Sequence, residues 1–453
     1  MSRNICQIVS RFWALELLPH LTLKSIDGQP TPIVLIVWHS KHENIWKSGI
    51  NMVSLRFMMN KKERVLAAVN FKGVDRIPTS YRGLKYVSES LLKYFGFEEY
   101  TVFSKNYIEF LKKLGADFWG MGHNICYFST FHPRYIGPPP KPPYIRDGVL
   151  YYTLGINAKL VKIEKYNYEY AAYVDPPLAN AQSAGDIKKG LLTSKLNLFD
   201  FDTMVNMLYS QKEKAVTSES DEIDYSFSEL RNNHEFIACG SFNSLFIMCS
   251  YLRGMEQFLM DLYINKKFAE CLIGEVGDFI LEFNEKELQG FGREAEFYCC
   301  WDDVADQRGM LFSPQLFKKY FLPVYKKLFE NVKKYNLILD WHCCGNVNEV
   351  LPMMIDAGID IFDVVQTSAK DMDLENVHKK YGKKVCVHGG IDVQKLLILK
   401  RPEDVKKEVK KIIELWGDRG GIIIAPAHEI EPETPLENVV AIYDVLHEYS
   451  IQY

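Results

Sequence analysis

The sequence predicts an α/β protein of the (β/α)8 barrel class, and three observations carry that prediction. From residue 236 onward short apolar runs alternate with longer amphipathic ones, the pattern of parallel strands covered by helices. Nearly every apolar run ends in polar, glycine or ligand-type residues, and a barrel gathers its active site at the C-terminal ends of its strands. A doubly wound open sheet would concentrate such residues at one switch point instead.

Taken in order, residues 1–57 show no sustained periodicity and few capping signals. They are expected to be a poorly ordered or spurious N-terminal extension, with residues 58–453 forming the barrel domain. An amphipathic helix begins in "MMNKKERVLAAVN", where Val65, Leu66 and Val69 fall at helical spacing. "RIPTSY" at 76–81 reads as the first strand. The Pro-rich segment 132–148 is expected to be a surface loop, because proline lacks the N–H that a helix or central strand requires. The polar stretch 211–233, with "SESDEID", reads as an exposed insertion.

Six further strands follow in "EFIACGSFN", "EFYCCWDD", "LILDWHCCGN", "IDIFDVVQ", "KVCVHGGID" and "GIIIAPAHE". The helices between them carry their own start signals. Ser313 is placed to cap a helix with Pro314 at its first position. Pro402 opens another, with Glu403 and Asp404 in a first turn that favours negative charge.

Composition narrows the function. The chain has 453 residues, 47% hydrophobic and 25% charged, with a net charge of −4. That balance excludes the basic field of a nucleic-acid binder. The apolar run "PIVLIVW" at 32–38 is too short to span a bilayer. Ten cysteines without regular spacing read as reduced thiols of a cytoplasmic protein.

Alternation along a strand puts Asp340, His342 and Cys344 on one face and Trp341 and Cys343 on the other. An imidazole and a thiol presented together are two ligands of a zinc site, and a catalytic zinc has three protein ligands with one position open. The alternative is a hydrogen-bonded histidine beside two small packing residues. His428, just beyond "IIIAP" at a predicted strand end, is either a third ligand or a substrate-orienting histidine. In "EFYCCWDDVADQRG", Asp302 and Asp303 fall on opposite faces. With Gln307 they are placed to bind a polar substrate, to support a ligand histidine or to cap a helix. Gln366 ends its strand similarly, and Asp392 follows two glycines that permit close approach of a ligand.

These motifs, with "DDVADQRGMLFSPQLFKKYFLPVYKKL" at 302–328 and "VHGGID" at 387–392, resemble the uroporphyrinogen decarboxylase superfamily over residues 58–450. The resemblance implies the barrel fold and two branches. Zinc-dependent methyltransferases pair His-x-Cys and a following Gly with a distant Cys before the final helix. His342, Cys344 and Gly345 match, while His428 stands where the distant Cys is expected. The decarboxylase branch grips a tetracarboxylate porphyrinogen with an Arg-rich motif and an aspartate. Here "RIPTSYRGLKYV" offers Arg82 alone, and Asp117 lies upstream of the required place, although His428 matches that branch's late histidine.

The resemblance therefore implies a zinc methyltransferase, with metal ligands His342, Cys344 and His428. It would move a methyl group between a corrinoid on a separate partner protein and a small thiol or methoxy compound. Asp392, Arg82 and Asp302 are the candidate catalytic residues, and Gln366, Asp303 and Gln307 the candidate substrate contacts. The alternatives are a metal-free uroporphyrinogen decarboxylase using Arg82, Asp392 and His428, and a noncatalytic barrel that binds a corrinoid or a metal.

Overall fold

The structure is a computed structural model; it describes residues 21–24, 30–33, 58–97, 105–120, 129–166, 168–187, 190–206 and 231–452. The chain divides between Met59 and Asn60 into two units. The first holds an antiparallel pair, β1 (Leu21–Lys24) and β2 (Pro30–Ile33). The expectation of a poorly ordered extension over residues 1–57 falls for the most part on residues outside those described, as does the expected insertion at 211–233.

The second unit opens with α1 (Lys61–Val69), which starts where Asn60 and Glu63 form a reciprocal capping box. Then come β3 (Ser80–Arg82), α2 (Lys85–Tyr94), α3 (Lys105–Leu114), β4 (Phe118–Gly120) and β5 (Ser129–Tyr135). A four-stranded antiparallel sheet follows, made of β6 (Tyr144–Arg146), β7 (Val149–Tyr151), β8 (Asn157–Ile163) and β9 (Tyr168–Val174). Next, β10 (Phe199–Asn206) pairs antiparallel with β5. The Pro-rich segment thus differs from the expected loop, because both its ends are strand. Pro133 is tolerated in β5 because the neighbour β11 (Ile237–Cys239) pairs only with Ser129 and Thr130, so no ladder bond on that side needs its N–H.

Beyond β11 the predicted alternation appears. Helices α4 (Leu245–Arg253), α5 (Met255–Ile264) and α6 (Lys266–Phe291) lead to β12 (Phe297–Trp301). Then follow α7 (Leu322–Lys333), β13 (Ile338–His342), α8 (Leu351–Asp356), β14 (Ile361–Val365) and α9 (Leu374–Tyr381). The chain closes with β15 (Cys386–Ile391), α10 (Pro402–Trp416), β16 (Ile422–Pro426) and α11 (Leu436–Gln452). Ser313 accepts the Leu316 N–H, and α10 begins at Pro402, as the capping signals predict.

One eight-stranded sheet runs β10-β5-β11-β12-β13-β14-β15-β16, parallel from β5 onward. Parallel bridges Thr79 to Ile424 and Gly83 to Ile430 carry it on to β3, which pairs with β4. Among the described pairings none joins β4 to β11.

The two faces of this sheet bury different partners. Ala238, Phe297, Cys299, Ile361, Cys386 and Ile423 pack with Val65 and Val69 of α1 on the inner face. Tyr298, Leu339, Trp341, Phe362, Val387 and Ile422 face outward into the main helical core. Trp341 and Phe362 are fully buried there, each favouring the fold by roughly 2–3 kcal/mol of transfer free energy. Outer residues are therefore committed to packing, and the inner face alone can present chemistry. Among the described residues no helix is long and apolar enough to cross a membrane.

Candidate active site

Strand register assembles the site. Trp301, His342, Asp363, His388 and Ile423 lie side by side on adjacent strands β12 to β16. One step toward the strand N-termini, Cys299, Asp340, Ile361 and Cys386 form the row beneath. A polar row thus sits on a mostly apolar one, at the last residues of β12 and β13 and inside β14, β15 and β16.

His342 and Cys344 share a face, as the alternation predicts, with Nε2 3.3 Å from Sγ. Gly345 then turns the chain at φ +88°, and a Cβ there would come within 2.4 Å of the Asp306 carbonyl oxygen. Only glycine meets both demands. The Gly345 N–H donates to Gln366 Oε1 at 2.8 Å, so Gln366 fixes the turn that carries the thiol. Asp303 Oδ1 accepts the Cys344 N–H at 3.0 Å and lies 3.9 Å from His342 Nε2. Ligand atoms of Asp303, His342 and Cys344 all fall within 4.8 Å of one another. His428, on the loop after β16, is near enough to Cys344 to act on its thiol, but the donor atoms that lie within 4.8 Å of one another do not include it. The structure thus brings His342, Cys344 and Asp303 together, with Asp303 in the close set where His428 is expected.

Beside His342 in the same row, Asp363 is a buried hub. Its Oδ2 meets His342 Nδ1 in a short contact, and its Oδ1 accepts from Arg82 Nη2 at 2.7 Å. His388 Nδ1 lies 3.2 Å from the same Oδ1, and His388 Nε2 is 2.7 Å from Ser80 Oγ. Arg82 is thus drawn to the site by Asp363.

Charges follow from this packing. Burial alone would raise the Asp363 carboxyl, but Arg82 and His342 hold it below its usual range. Burial disfavours the His342 imidazolium, yet the Cys344 and Asp363 charges lift it well above the ordinary value. Burial would raise the Cys344 thiol, and His342 more than offsets this, so Cys344 is lowered. His428 is raised against burial by its bond to Cys344 and that group's charge. His388 drops to about 3, chiefly from burial, and is neutral. Asp340, in the apolar row, is raised well above the carboxylate range by burial and by Asp363. Without a metal, His342 and Cys344 each favour the charged form of the other. These nitrogen, sulfur and oxygen donors are of the kinds that bind zinc.

Three other candidates stand apart. Asp302 points outward: its carboxylate accepts the Phe246 and Ile247 N–H groups at 2.7 and 2.9 Å and meets the Tyr325 hydroxyl. Burial raises it to about 7. Strand parity separates Asp302 from Asp303 as predicted, but Asp303 takes the inner side. Asp392 accepts the Gln394 and Lys395 N–H groups at 2.8 and 3.3 Å, capping the turn after β15. Gln307 is exposed, and its backbone carbonyl accepts from Lys370.

Sequence reasoning passes over Asp363, His388 and Ser80. The first two lie inside the quoted runs "IDIFDVVQ" and "KVCVHGGID", and a charged or polar residue centred in an apolar strand was the available signal. Ser80 carries no comparable signal.

A model of the family described as uroporphyrinogen decarboxylase (URO-D) matches residues 219–449, just over half of the chain. Uroporphyrinogen decarboxylase from Legionella pneumophila (strain Corby) is 25% identical over 202 residues, covering 44% of this chain and 54% of that protein. The enzyme of the same name from Carboxydothermus hydrogenoformans is 26% identical over 179 residues, 40% of this chain and 47% of that protein. The chain spans about half the length of these curated relatives. A solved structure, a methyltransferase from Methanosarcina mazei, is similar with TM-score 0.52 and 16% identity, covering 86% of this chain and 99% of that one. At that identity the likeness speaks for the fold alone.

Proposed function

The chain belongs to the uroporphyrinogen decarboxylase (URO-D) family, and on that premise we propose that it is a closed (β/α)8 barrel methyltransferase. It would move a methyl group between a corrinoid on a separate protein and a small thiol or methoxy compound. The observation that carries this reading is the pairing of His342 Nε2 and Cys344 Sγ at 3.3 Å, with Asp303 completing a close set of donor atoms.

The donor set fits zinc, and we assign His342, Cys344 and His428 as its ligands, which leaves a position open. Bound there, zinc would supply the Lewis acidity that keeps a substrate thiol deprotonated or polarises a methoxy oxygen. The chain's own residues prepare that site. His342 favours the Cys344 thiolate, Asp303 and Gln366 pin the backbone of Cys344 and Gly345, and the apolar row beneath excludes water. The fold shared with the Methanosarcina mazei methyltransferase supports the barrel part of this reading.

Decarboxylation is the second reading, favoured by the names of the curated relatives. Two observations weigh against it. Arg82 is committed to Asp363, and Asp117 is clasped by Arg64 and Arg76 at 2.5 and 2.7 Å. Arg82 is thus not available to a substrate carboxylate, nor Asp117 to pyrrole N–H groups.

Elemental analysis of the purified protein beside His342→Ala tests the proposal. We expect about one zinc per chain in the wild type and loss in the variant. A metal-free wild type that releases carbon dioxide from uroporphyrinogen would reverse the assignment.

A further inference from the structure

We propose that Asp363 is a positioning residue that holds His342 in its Nδ1–H tautomer and thereby turns the Nε2 lone pair toward Cys344. The proposal rests on the metal reading above only for what Nε2 is offered to. The local geometry leaves little choice. An ionised carboxylate only accepts hydrogen bonds, whereas a neutral imidazole donates from one nitrogen and accepts at the other. Arg82 Nη2 donates to Asp363 Oδ1 at 2.7 Å in a site where both residues are buried, which keeps Asp363 ionised. The remaining Oδ2 faces His342 Nδ1, so that nitrogen must bring the proton. Once the ring is neutral, as a metal ligand must be, Nε2, 3.3 Å from Cys344 Sγ, is left with its lone pair.

Register makes this arrangement rigid. His342 and Asp363 are direct partners across β13 and β14, so no side chain can intervene. The second imidazole at the hub, His388, approaches Oδ1 instead and is occupied at Nε2 by Ser80.

The isosteric change Asp363→Asn separates positioning from packing. An amide offers one accepting and one donating end. With Arg82 donating to the Oδ1 side, the carbonyl must face Arg82 and the NH2 must face His342 Nδ1. That inverts the tautomer and puts a proton on Nε2, as an Asp-to-Asn change does beside the histidine of a Ser-His-Asp triad.

The experiment is nitrogen-15 NMR of the histidine rings in the full-length, metal-free chain at alkaline pH, where His342 is neutral, with its signal assigned by His342→Gln. We expect Nδ1–H in the wild type, Nε2–H in Asp363→Asn, and Nδ1–H retained in Asp340→Asn, which removes a buried carboxyl from the same face. Zinc affinity of Asp363→Asn should fall about 10 to 100-fold. Nε2–H in the wild type, or Nδ1–H retained in Asp363→Asn, overturns the proposal. If Asp363→Asn does not fold, the wild-type spectrum decides alone. A wild type that takes up no zinc sinks the methyl-transfer reading, while the tautomer still decides the role of Asp363.

Discussion

His342 and Cys344, two residues apart at the end of β13, hold Nε2 and Sγ 3.3 Å apart, while Cys343 between them is fully buried in the outer core. Cys344→Ser is therefore expected to abolish zinc binding. Cys343→Ser should leave the metal in place and lower stability by about 1–3 kcal/mol, the cost of a hydroxyl in an apolar site. Metal analysis and urea denaturation of both variants check this. Equal zinc loss in the two would contradict the assigned faces.

His428 and Asp303 compete for the third ligand position, since both lie beside Cys344. With His428 as the ligand, His428→Ala weakens zinc binding and His428→Cys retains it, while Asp303→Asn has the smaller effect. Zinc titration of the three variants decides. Tight binding in His428→Ala together with loss in Asp303→Asn would move the ligand role to the carboxylate.

A pH dependence follows from Glu287, fully buried against Ser241, whose hydroxyl donates to it at 2.7 Å. Burial raises its pKa from 4.5 to about 8. The native state then keeps a proton that the unfolded chain has lost across that interval. Its contribution is fully present below about pH 4.5 and fades as pH rises through 8. Glu287→Gln should remove this component, changing the stability difference from wild type by about 1.4 kcal/mol per pH unit within the window. Urea unfolding measured across that range tests it, and parallel profiles for the two proteins would refute it.

Deleting residues 1–57 should leave a chain that melts cooperatively, because the division into units falls between Met59 and Asn60 and α1 carries its own capping box from Asn60. Calorimetry of the truncated protein is the check. Aggregation, or a broadened transition, would show that the second unit depends on the first.

What the sequence determined by itself is local. Each of the seven apolar runs is a strand, Ser313 and Pro402 open helices, and His342 with Cys344 share a face. Those outcomes follow from the period of two along a strand and from the unpaired N–H groups at a helix start, which neighbouring residues satisfy. The small sheet β6 to β9 was not legible from strand periodicity. Its strands are largely exposed, so no apolar alternation marks them. Tertiary structure alone decided which face points inward. Parity put Asp302 and Asp303 on opposite sides, but only the packing of β12 against α4 and α7 sent Asp302 to Phe246 and Tyr325 and left Asp303 beside Cys344. It alone also made Asp363 the hub, since Arg82 stands 281 residues from it in sequence and Ser80 stands 308 from His388. No local period reaches across such separations; parallel register brings these groups into one row, and closing the chain over that distance is a property of the whole fold.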